Sequence, residues 1–147
     1  MKMINKIAVA LAGSSSAINA TNYAIELAKN VGAKIEIISI IKYSLGNIDA
    51  GILRQDIEKE NEKQVIKSIN KIKNEHKDVL ISNFETVGIL EKEIIKQVKI
   101  WKVDLLILGH HTHSIIEKLF IKSVEKKLIN HIECPILIVP KNYKTYK

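Results

Sequence analysis

The segment that begins at Gly109 carries the side chains best suited to chemistry. An apolar run, Leu105 to Leu108, stops at this glycine, and polar residues follow at once, namely His110, His111, His113 and Ser114. In an open α/β sheet, ligands bind beyond the carboxyl ends of the strands. This segment is therefore the first place where the sequence predicts a functional site.

The HHTH cluster raises a metal hypothesis, because neutral imidazoles bind zinc, copper or nickel. In an extended loop, His111 and His113 would face the same side. No cysteine or carboxylate lies at the usual ligand spacing, so His131 or a second subunit would have to complete the coordination shell. The simpler interpretation is a polar loop that adds positive charge to an anion site when its imidazoles are protonated. We therefore predict no resident metal, with His110, His111 and His113 as the candidate ligands if one is bound.

Other kinds of catalytic site lack their usual motifs. Ser14, Ser114 and Ser123 have no GxSxG elbow, and the single cysteine, Cys134, is typical of a packed thiol at the start of a strand. The phosphate loop GxxxxGK[ST] is missing, as is GxGxxG after the first strand. Asp104 opens a strand at the opposite end of the sheet, so no paired carboxylates flank the candidate site. The sequence predicts no catalytic residues.

Five apolar, β-branched runs alternate with four helical patterns along the chain. This alternation predicts a parallel, doubly wound sheet of five strands with helices on both faces, because each right-handed crossover needs a helix. The third strand is expected near an edge, since Ser82 and Glu85 interrupt its apolar face. The predicted strands cover residues 4–11, 34–41, 79–87, 104–109 and 135–139.

The helices that position the candidate site are predicted from apolar stripes and end signals. The first helix has Ser14 to Ser16 as N-cap candidates and ends at Gly32, and the second runs from about Ile52 to Glu75. Trp101 closes the stripe of the third helix and is expected in the core. The predicted stripes are Ala20, Ala24, Leu27, Ala28 and Val31 in the first helix; Val65, Ile69 and Ile72 in the second; Leu90, Ile94, Val98 and Trp101 in the third; and Ile116, Leu119, Phe120, Val124 and Leu128 in the fourth.

Length and composition limit the class of protein. A chain of 147 residues with 46% hydrophobic and 27% charged residues is typical of one globular domain over residues 1–147, and the aperiodic end, residues 141–147, is predicted to be a mobile tail. No apolar run reaches the length of a membrane helix, and no convincing export signal is present. The lone cysteine agrees with a reducing compartment. We predict a cytoplasmic protein without a membrane partner.

The net charge of +7 raises the question of a nucleic-acid partner. The lysines occur on every predicted helix rather than in one patch. Arg54 is the single arginine, so the chain has few side chains that could form bidentate hydrogen bonds to bases. A solvated lysine-rich surface is the better interpretation. We predict no nucleic-acid partner.

The last strand, Pro135 to Pro140, is short, apolar and expected at a sheet edge. An unpaired edge invites another chain, and a homodimer that pairs this edge across a two-fold axis would cover it. The alternative is that the tail or a neighbouring helix covers it.

The whole chain, from KIAVALAGSSSAINATNYAIELAKNVGAKIEIISI to NHIECPILIVP, resembles the universal stress proteins. The ending HxxCPILIV is similar to the characteristic close of that family. The resemblance implies a Rossmann-like domain of the adenine nucleotide alpha hydrolase type that usually dimerises, acts in the stress response and in one branch binds ATP.

The nucleotide-binding branch has the pattern GxxGxxxxxxxxxG[ST] and an acidic residue at the end of the first strand. Gly109 matches the first glycine and Ser123 the final hydroxyl. Thr112 and Lys122 replace the other two glycines, and Ala12 replaces the acid that contacts the ribose. A further glycine after the loop serine is replaced by Ile115. Side chains at these positions restrict positive φ and crowd a phosphate, and Ala12 removes an acceptor.

Two interpretations follow from the resemblance. The first is a dimeric stress-response module that acts through its surfaces without ordinary ATP binding. The second is an altered phosphate loop in which Lys122, Ser123 and protonated histidines still hold ATP, AMP or another phosphorylated ligand. ATP hydrolysis is not predicted, because the pocket lacks an acid or a group that positions water. In the second case the family pocket implies contacts from Ala10, Leu11, Ala12, Ile40, Leu108, Gly109, Thr112, Lys122, Ser123 and Val124.

Overall fold

The computed structural model describes residues 3–11, 15–42, 63–64, 66–109, 125–140 and 142–144. Within these ranges, five parallel strands form one sheet. The strands are β1 (Lys6–Leu11), β2 (Lys34–Lys42), β3 (Ile81–Gly88), β4 (Leu105–Gly109) and β5 (Ile136–Val139), in the order β3-β2-β1-β4-β5. The predicted parallel sheet is confirmed.

Four helices accompany the sheet in the described part of the chain. They are α1 (Ser15–Val31), α2 (residues 63–64 and 66–75), α3 (Leu90–Trp101) and α4 (residues 125–131). The predicted first turns of α2, from Ile52, and most of the predicted fourth helix, including Ile116, Leu119, Phe120 and Val124, lie outside the described residues, as does Val65.

Two apolar cores cover the two faces of the sheet. Side chains alternate along β1, so that Ile7 and Val9 pack with α1 and α2, whereas Ala8 and Ala10 pack with α3 and α4. The four side chains are buried. Burial on both faces explains why the central strands have apolar residues at successive positions rather than at every second position. The fold is the predicted doubly wound, Rossmann-like α/β sheet.

Most predicted stripe residues lie in these cores, but Val31 does not. Val31 is 39% exposed, whereas Thr21 and Ile25, which the stripe omitted, are buried. At 100° per residue, the buried arc of α1 runs from Ala20 to Ile25, and Val31 lies within it, 20° from Ala20, but in the last residue of the helix. The exposure of Val31 therefore follows from its place at the helix end, whereas Thr21 and Ile25 lie on the side of the arc that the stripe left out. The stripe was therefore drawn too far to one side.

The sheet is tied together at its amino end. Asp104, just before β4, accepts hydrogen bonds at Oδ2 from the backbone N–H groups of Asn5 and Lys6, each at 3.0 Å. Lys6 donates from Nζ to the carbonyl oxygen of Trp101 at 3.0 Å and lies 5.8 Å from the centre of its ring. Trp101 is half-buried against the core on the α3–α4 face, as predicted.

Within the predicted tail, Tyr143 has a packing partner. Its ring meets that of Tyr23 on α1 edge to face, with centroids 5.3 Å apart, and its N–H donates to the carbonyl oxygen of Pro140 at 3.0 Å. The chain is thus attached to α1 as far as this residue. Residues 141 and 145–147 lie outside the described part, and their mobility stays a prediction.

Two helices end on residues with left-handed backbone. Gly32 follows α1 at φ 71°, and Lys102 follows α3 at φ 55°. Gly32→Ala should lower the free energy of unfolding by about 1 kcal/mol, because an L side chain is strained there although no atom lies within 4 Å of the added Cβ. Lys102→Gly should cause no such loss, because it removes the same kind of strain. Denaturant unfolding checks both variants, and equal destabilisation by the two would contradict this account.

Candidate functional site

The candidate site lies where the connections of the sheet change direction. From β1 the chain proceeds outward through β2 to β3, and it then returns to β4 on the other side of β1. The α1–α2 and α3–α4 layers therefore diverge at the carboxyl ends of β1 and β4. A crevice at such a point is where open α/β sheets bind ligands.

Three of the predicted contact residues form an apolar floor at this end of the sheet. Ile40 on β2, Ala10 on β1 and Leu108 on β4 occupy three neighbouring strands. All three are buried and belong to the core on the α3–α4 face. The structure thus brings these three predicted contact residues together as an apolar surface of the kind that a flat, apolar part of a ligand would contact.

Two further predicted residues define the rim. Leu11 ends β1, with its backbone in register with Ser39. Gly109 ends β4 in register with Val139 and is half-buried. The described backbone therefore leads directly into both segments that would complete the site.

The residues predicted to meet phosphate and ribose lie outside the described residues. They are Ala12, Thr112, Lys122, Ser123 and Val124, together with the candidate metal ligands His110, His111 and His113. Elsewhere in the chain as described, no group of three His, Cys, Asp or Glu side chains is arranged to hold a metal ion.

Ser39 is a polar residue near the site that sequence reasoning missed. Its side chain is 0% exposed, and its Oγ has no hydrogen-bond partner in the described structure. It interrupts the isoleucine-rich run of β2, and a lone hydroxyl within such a run is the signal that could have identified it. An unpaired buried hydroxyl is costly, so this position is a weak point of the core next to the crevice.

A buried carboxyl group lies further toward the amino end of the same strand. Glu36 is 7% exposed, and its Oε1 accepts a hydrogen bond of 3.1 Å from Nε2 of Gln97 on α3. Its Oε2 is buried without a partner in the described structure. Burial raises the pKa of Glu36, and the bond from Gln97 and the charge of Lys6 offset this only in part.

The described part of the site is an apolar surface. Its floor is aliphatic, and two of the described carboxyl groups, Glu36 and Asp104, lie toward the amino ends of the strands. Glu91, in the first turn of α3, pairs with Lys127 on α4 at 2.9 Å. No described helix is long and apolar enough to cross a membrane.

Comparisons with known proteins agree on one family. Residues 3–140 match the family model described as the universal stress protein family. None of the curated proteins compared with the chain matches it significantly.

Among solved structures, the chain is similar to a universal stress protein family member from Burkholderia pseudomallei, at 22% identity and a TM-score of 0.71, with 95% of this chain and 98% of that one covered. It is also similar to universal stress protein UspA from Lactobacillus plantarum, at 13% identity and a TM-score of 0.80, covering 95% and 99%. A universal stress protein family protein from Arabidopsis thaliana with AMP bound aligns at 18% identity and a TM-score of 0.68, covering 94% and 92%. These identities support a shared fold.

The surroundings of Glu36 predict an unusual pH dependence of stability. A raised pKa means that folding favours the protonated acid, so the contribution of Glu36 is greatest below the ordinary glutamate pKa and is lost as pH rises through the raised value. Glu36→Gln keeps the acceptor for Gln97 without the charge. The stability of this variant relative to wild type should increase by on the order of 1 kcal/mol between about pH 4 and about pH 7.

Denaturant unfolding across this pH range checks the prediction, with the exposed residue of α1 changed in Glu26→Gln as the control. A difference between wild type and Glu36→Gln that does not change with pH, or the same trend in the control, would show that burial of Glu36 has no such effect.

Proposed function

Because the chain belongs to the universal stress protein family, we propose that it is a regulatory module of the stress response that acts through its surfaces and does not bind ATP in the usual manner of the family. The observation that carries this proposal is the altered phosphate pattern. Thr112 and Lys122 stand where two glycines of the nucleotide-binding branch are expected, and Ala12 stands where an acid is expected.

The physical basis is loss of space and of hydrogen-bond partners. A glycine can adopt positive φ and lets backbone amides approach a phosphate closely, whereas a β-branched threonine at position 112 can do neither easily. One flexible lysine supplies charge but not a fixed set of amide donors. Loss of the ribose acceptor at position 12 removes a further contact.

The second candidate is an ATP-binding or AMP-binding protein with a modified loop. Two observations favour it. The buried side chains of Ile40, Ala10 and Leu108 offer an apolar floor, and a structure with a similar fold has AMP bound. In this case Lys122 and Ser123 would supply phosphate contacts, next to Gly109 and the other predicted pocket residues.

We also propose a homodimer formed through Pro135 to Pro140. In support, β5 is an edge strand that pairs only with β4 among the described residues. Ile138 in this strand is 40% exposed. An apolar edge of this kind is a liability unless another chain or segment covers it.

The remaining parts of the proposal concern context. We propose a single domain over residues 1–147 that is cytoplasmic and has neither enzymatic activity nor a nucleic-acid or membrane partner. The lysines are spread over the helices and Arg54 is the single arginine, which argues against sequence-specific recognition of nucleic acid.

Two experiments test whether the protein binds adenine nucleotides, one on the wild type and one on a variant in which the family pattern is restored. The purified wild-type protein should release no adenine nucleotide on denaturation, and calorimetry with ATP and magnesium should give no saturable heat. Restoring the pattern with Ala12→Asp, Thr112→Gly and Lys122→Gly together should create measurable ATP affinity, because space and the acceptor return.

Nucleotide carried by the wild type, or saturable ATP binding that Lys122→Ala and Ser123→Ala abolish, would overturn the proposal in favour of the second candidate. Lys126→Ala, at an exposed position of α4, is the control for a general loss of charge. A restored variant that folds but still fails to bind would refute the steric explanation.

The dimer is tested by light scattering after size exclusion. The wild type should have twice the chain mass of 16.6 kDa. Ile138→Lys should shift the protein toward monomer, because it places a charge at the proposed interface. Val87→Lys, at a 52% exposed position of the opposite edge strand, should remain dimeric. A monomeric wild type, or dissociation by the Val87 variant alone, would contradict this interface.

A further inference from the structure

The edge strand β3 is open to pairing along its whole length. It has eight residues, against four in β5 at the other edge of the sheet, and among the described residues it pairs only with β2. Its register with β2 runs without a bulge from Ile81 to Gly88, and it contains neither proline nor lysine. Bulges, prolines and lysines are what natural edge strands use to avoid pairing with another chain. The proposed dimer leaves this edge unused.

The hydrogen bonds to β2 identify the backbone groups of β3 that face outward. The N–H of Ile35 donates to the carbonyl oxygen of Leu80 at 2.9 Å, and Ile35 is in register with Ile81. In such a parallel pair, the even-numbered residues of β3 bond to β2 and the odd-numbered residues point away from it. Four residues therefore present one N–H and one C=O each at the edge, and they are Ile81, Asn83, Glu85 and Val87.

The strand is self-complementary when a second copy runs antiparallel to it. With the two-fold axis at Phe84, Ile81 lies opposite Val87 of the second copy, and Asn83 lies opposite Glu85. Each is a hydrogen-bonded pair that exchanges two bonds, so every outward-facing group of the strand has a partner. Moving the axis to Asn83 or Glu85 leaves one end residue unpaired, and an axis at Glu85 opposes two like charges.

The side chains agree with this register on both faces of the sheet. On the face that α2 covers, Ile81 packs against the core and Val87 is exposed, so the pairing adds an apolar contact on each side of the axis. On the α3 face, the half-buried ring of Phe84 meets the same ring of the second copy. Branched and aromatic pairs across neighbouring strands stabilise a sheet.

The pairing is also complementary in charge. Nζ of Lys73 on α2 donates a hydrogen bond to Oδ1 of Asn83, which the register places opposite Glu85 of the second copy. Directly opposite residues have Cβ atoms about 4.5–5.5 Å apart, so the ammonium group comes within reach of that carboxylate. The two-fold axis makes this contact twice. It adds to the interactions that Glu85 has in its own chain.

From this combination we propose that β3 binds β3 of a second copy of the chain, antiparallel about a two-fold axis at Phe84. The contact goes beyond the proposed dimer, because β5 lies at the opposite edge of the sheet. It is the weaker of the two, since half of β3 is polar whereas β5 is apolar throughout. A dimer formed through β5 keeps two free β3 edges and therefore associates further as the protein concentration rises.

Analytical ultracentrifugation of Ile138→Lys isolates this contact, because that variant carries a charge at the β5 edge. Between micromolar and millimolar concentration it should change from monomer to dimer and go no further. Adding Val87→Lys should weaken this dimer at least about tenfold, because a charge then lies opposite Ile81 of the second copy. Ile18→Lys, at a similarly exposed position of α1, is the matched control and should have no effect.

The same series separates this proposal from the β5 dimer. If β5 does not pair, the wild type gives the same change from monomer to dimer, and Val87→Lys still weakens it. If β5 pairs and β3 does not, the wild type stays at twice the chain mass at every concentration and Ile138→Lys stays monomeric.

Disulfide trapping tests the register without changing the β5 edge. In a Cys134→Ser background, Ser82→Cys and Thr86→Cys together should link two copies under mild oxidation, because the register makes them non-hydrogen-bonded neighbours across the interface. Within one chain these positions are about 13 Å apart and cannot form a disulfide. Each single cysteine lies as far from its own copy, so the single variants should stay unlinked.

Charge reversal tests the contact between Lys73 and Glu85. In the Ile138→Lys background, Lys73→Glu or Glu85→Lys alone should weaken the dimer about tenfold, since each brings like charges together. The two reversals combined should restore it. Lys67→Glu, at an exposed position of α2, is the control and should leave the dimer unchanged.

Several outcomes would overturn the proposal. Ile138→Lys that is folded and monomeric at every concentration would show that β3 does not pair. Equal weakening by Val87→Lys and Ile18→Lys would place the contact elsewhere. Linking of a single-cysteine variant as fast as the double variant would refute the register, and unchanged association in both charge reversals would refute the charge contact on which the choice of a second copy rests.

Discussion

Burial of a parallel sheet on both faces is the constraint on which the rest of this structure depends. Residues of β1 that face opposite ways, such as Val9 and Ala8, are both buried, because α1 and α2 cover one face and α3 and α4 the other. Helices can reach both faces only if the chain reverses its direction of travel between β1 and β4. The crevice at the carboxyl ends of these strands is a consequence of that reversal.

The same constraint makes polar groups within the sheet costly. Asp104 is accommodated because its carboxylate accepts two backbone hydrogen bonds at the amino end of β1. Glu36 is accommodated only in part, with one oxygen bonded to Gln97 and the other unpaired in the described structure. The two ends of the sheet thus have different chemistry: an apolar floor at the carboxyl end, and charged groups around a cavity at the amino end.

The sequence predicted the fold well because the fold depends on period and composition. Five apolar runs separated by helical stripes require parallel strands, and Gly32 marked the end of α1 correctly. Three-dimensional pairings could not be predicted, because Glu36 meets Gln97 across 61 positions of sequence and each looks like an ordinary surface residue. A cavity of about 600 Å³ at the amino end of the sheet was missed for the same reason, since residues as distant in sequence as Lys102 and Cys134 line it together. At the candidate site, Ala10, Ile40 and Leu108 lie on three neighbouring strands, and their contact with a ligand stays a prediction, as do the roles of Thr112 and Lys122.

The central claim is that this chain keeps the family fold while its phosphate loop no longer accommodates ATP. An NMR titration of the isotopically labelled protein with ATP and magnesium tests it most directly, because the signals of Ala10, Ile40 and Gly109 report from the floor and rim of the crevice. The account predicts that these signals do not shift as ATP is added. Saturable shifts confined to these residues would contradict it.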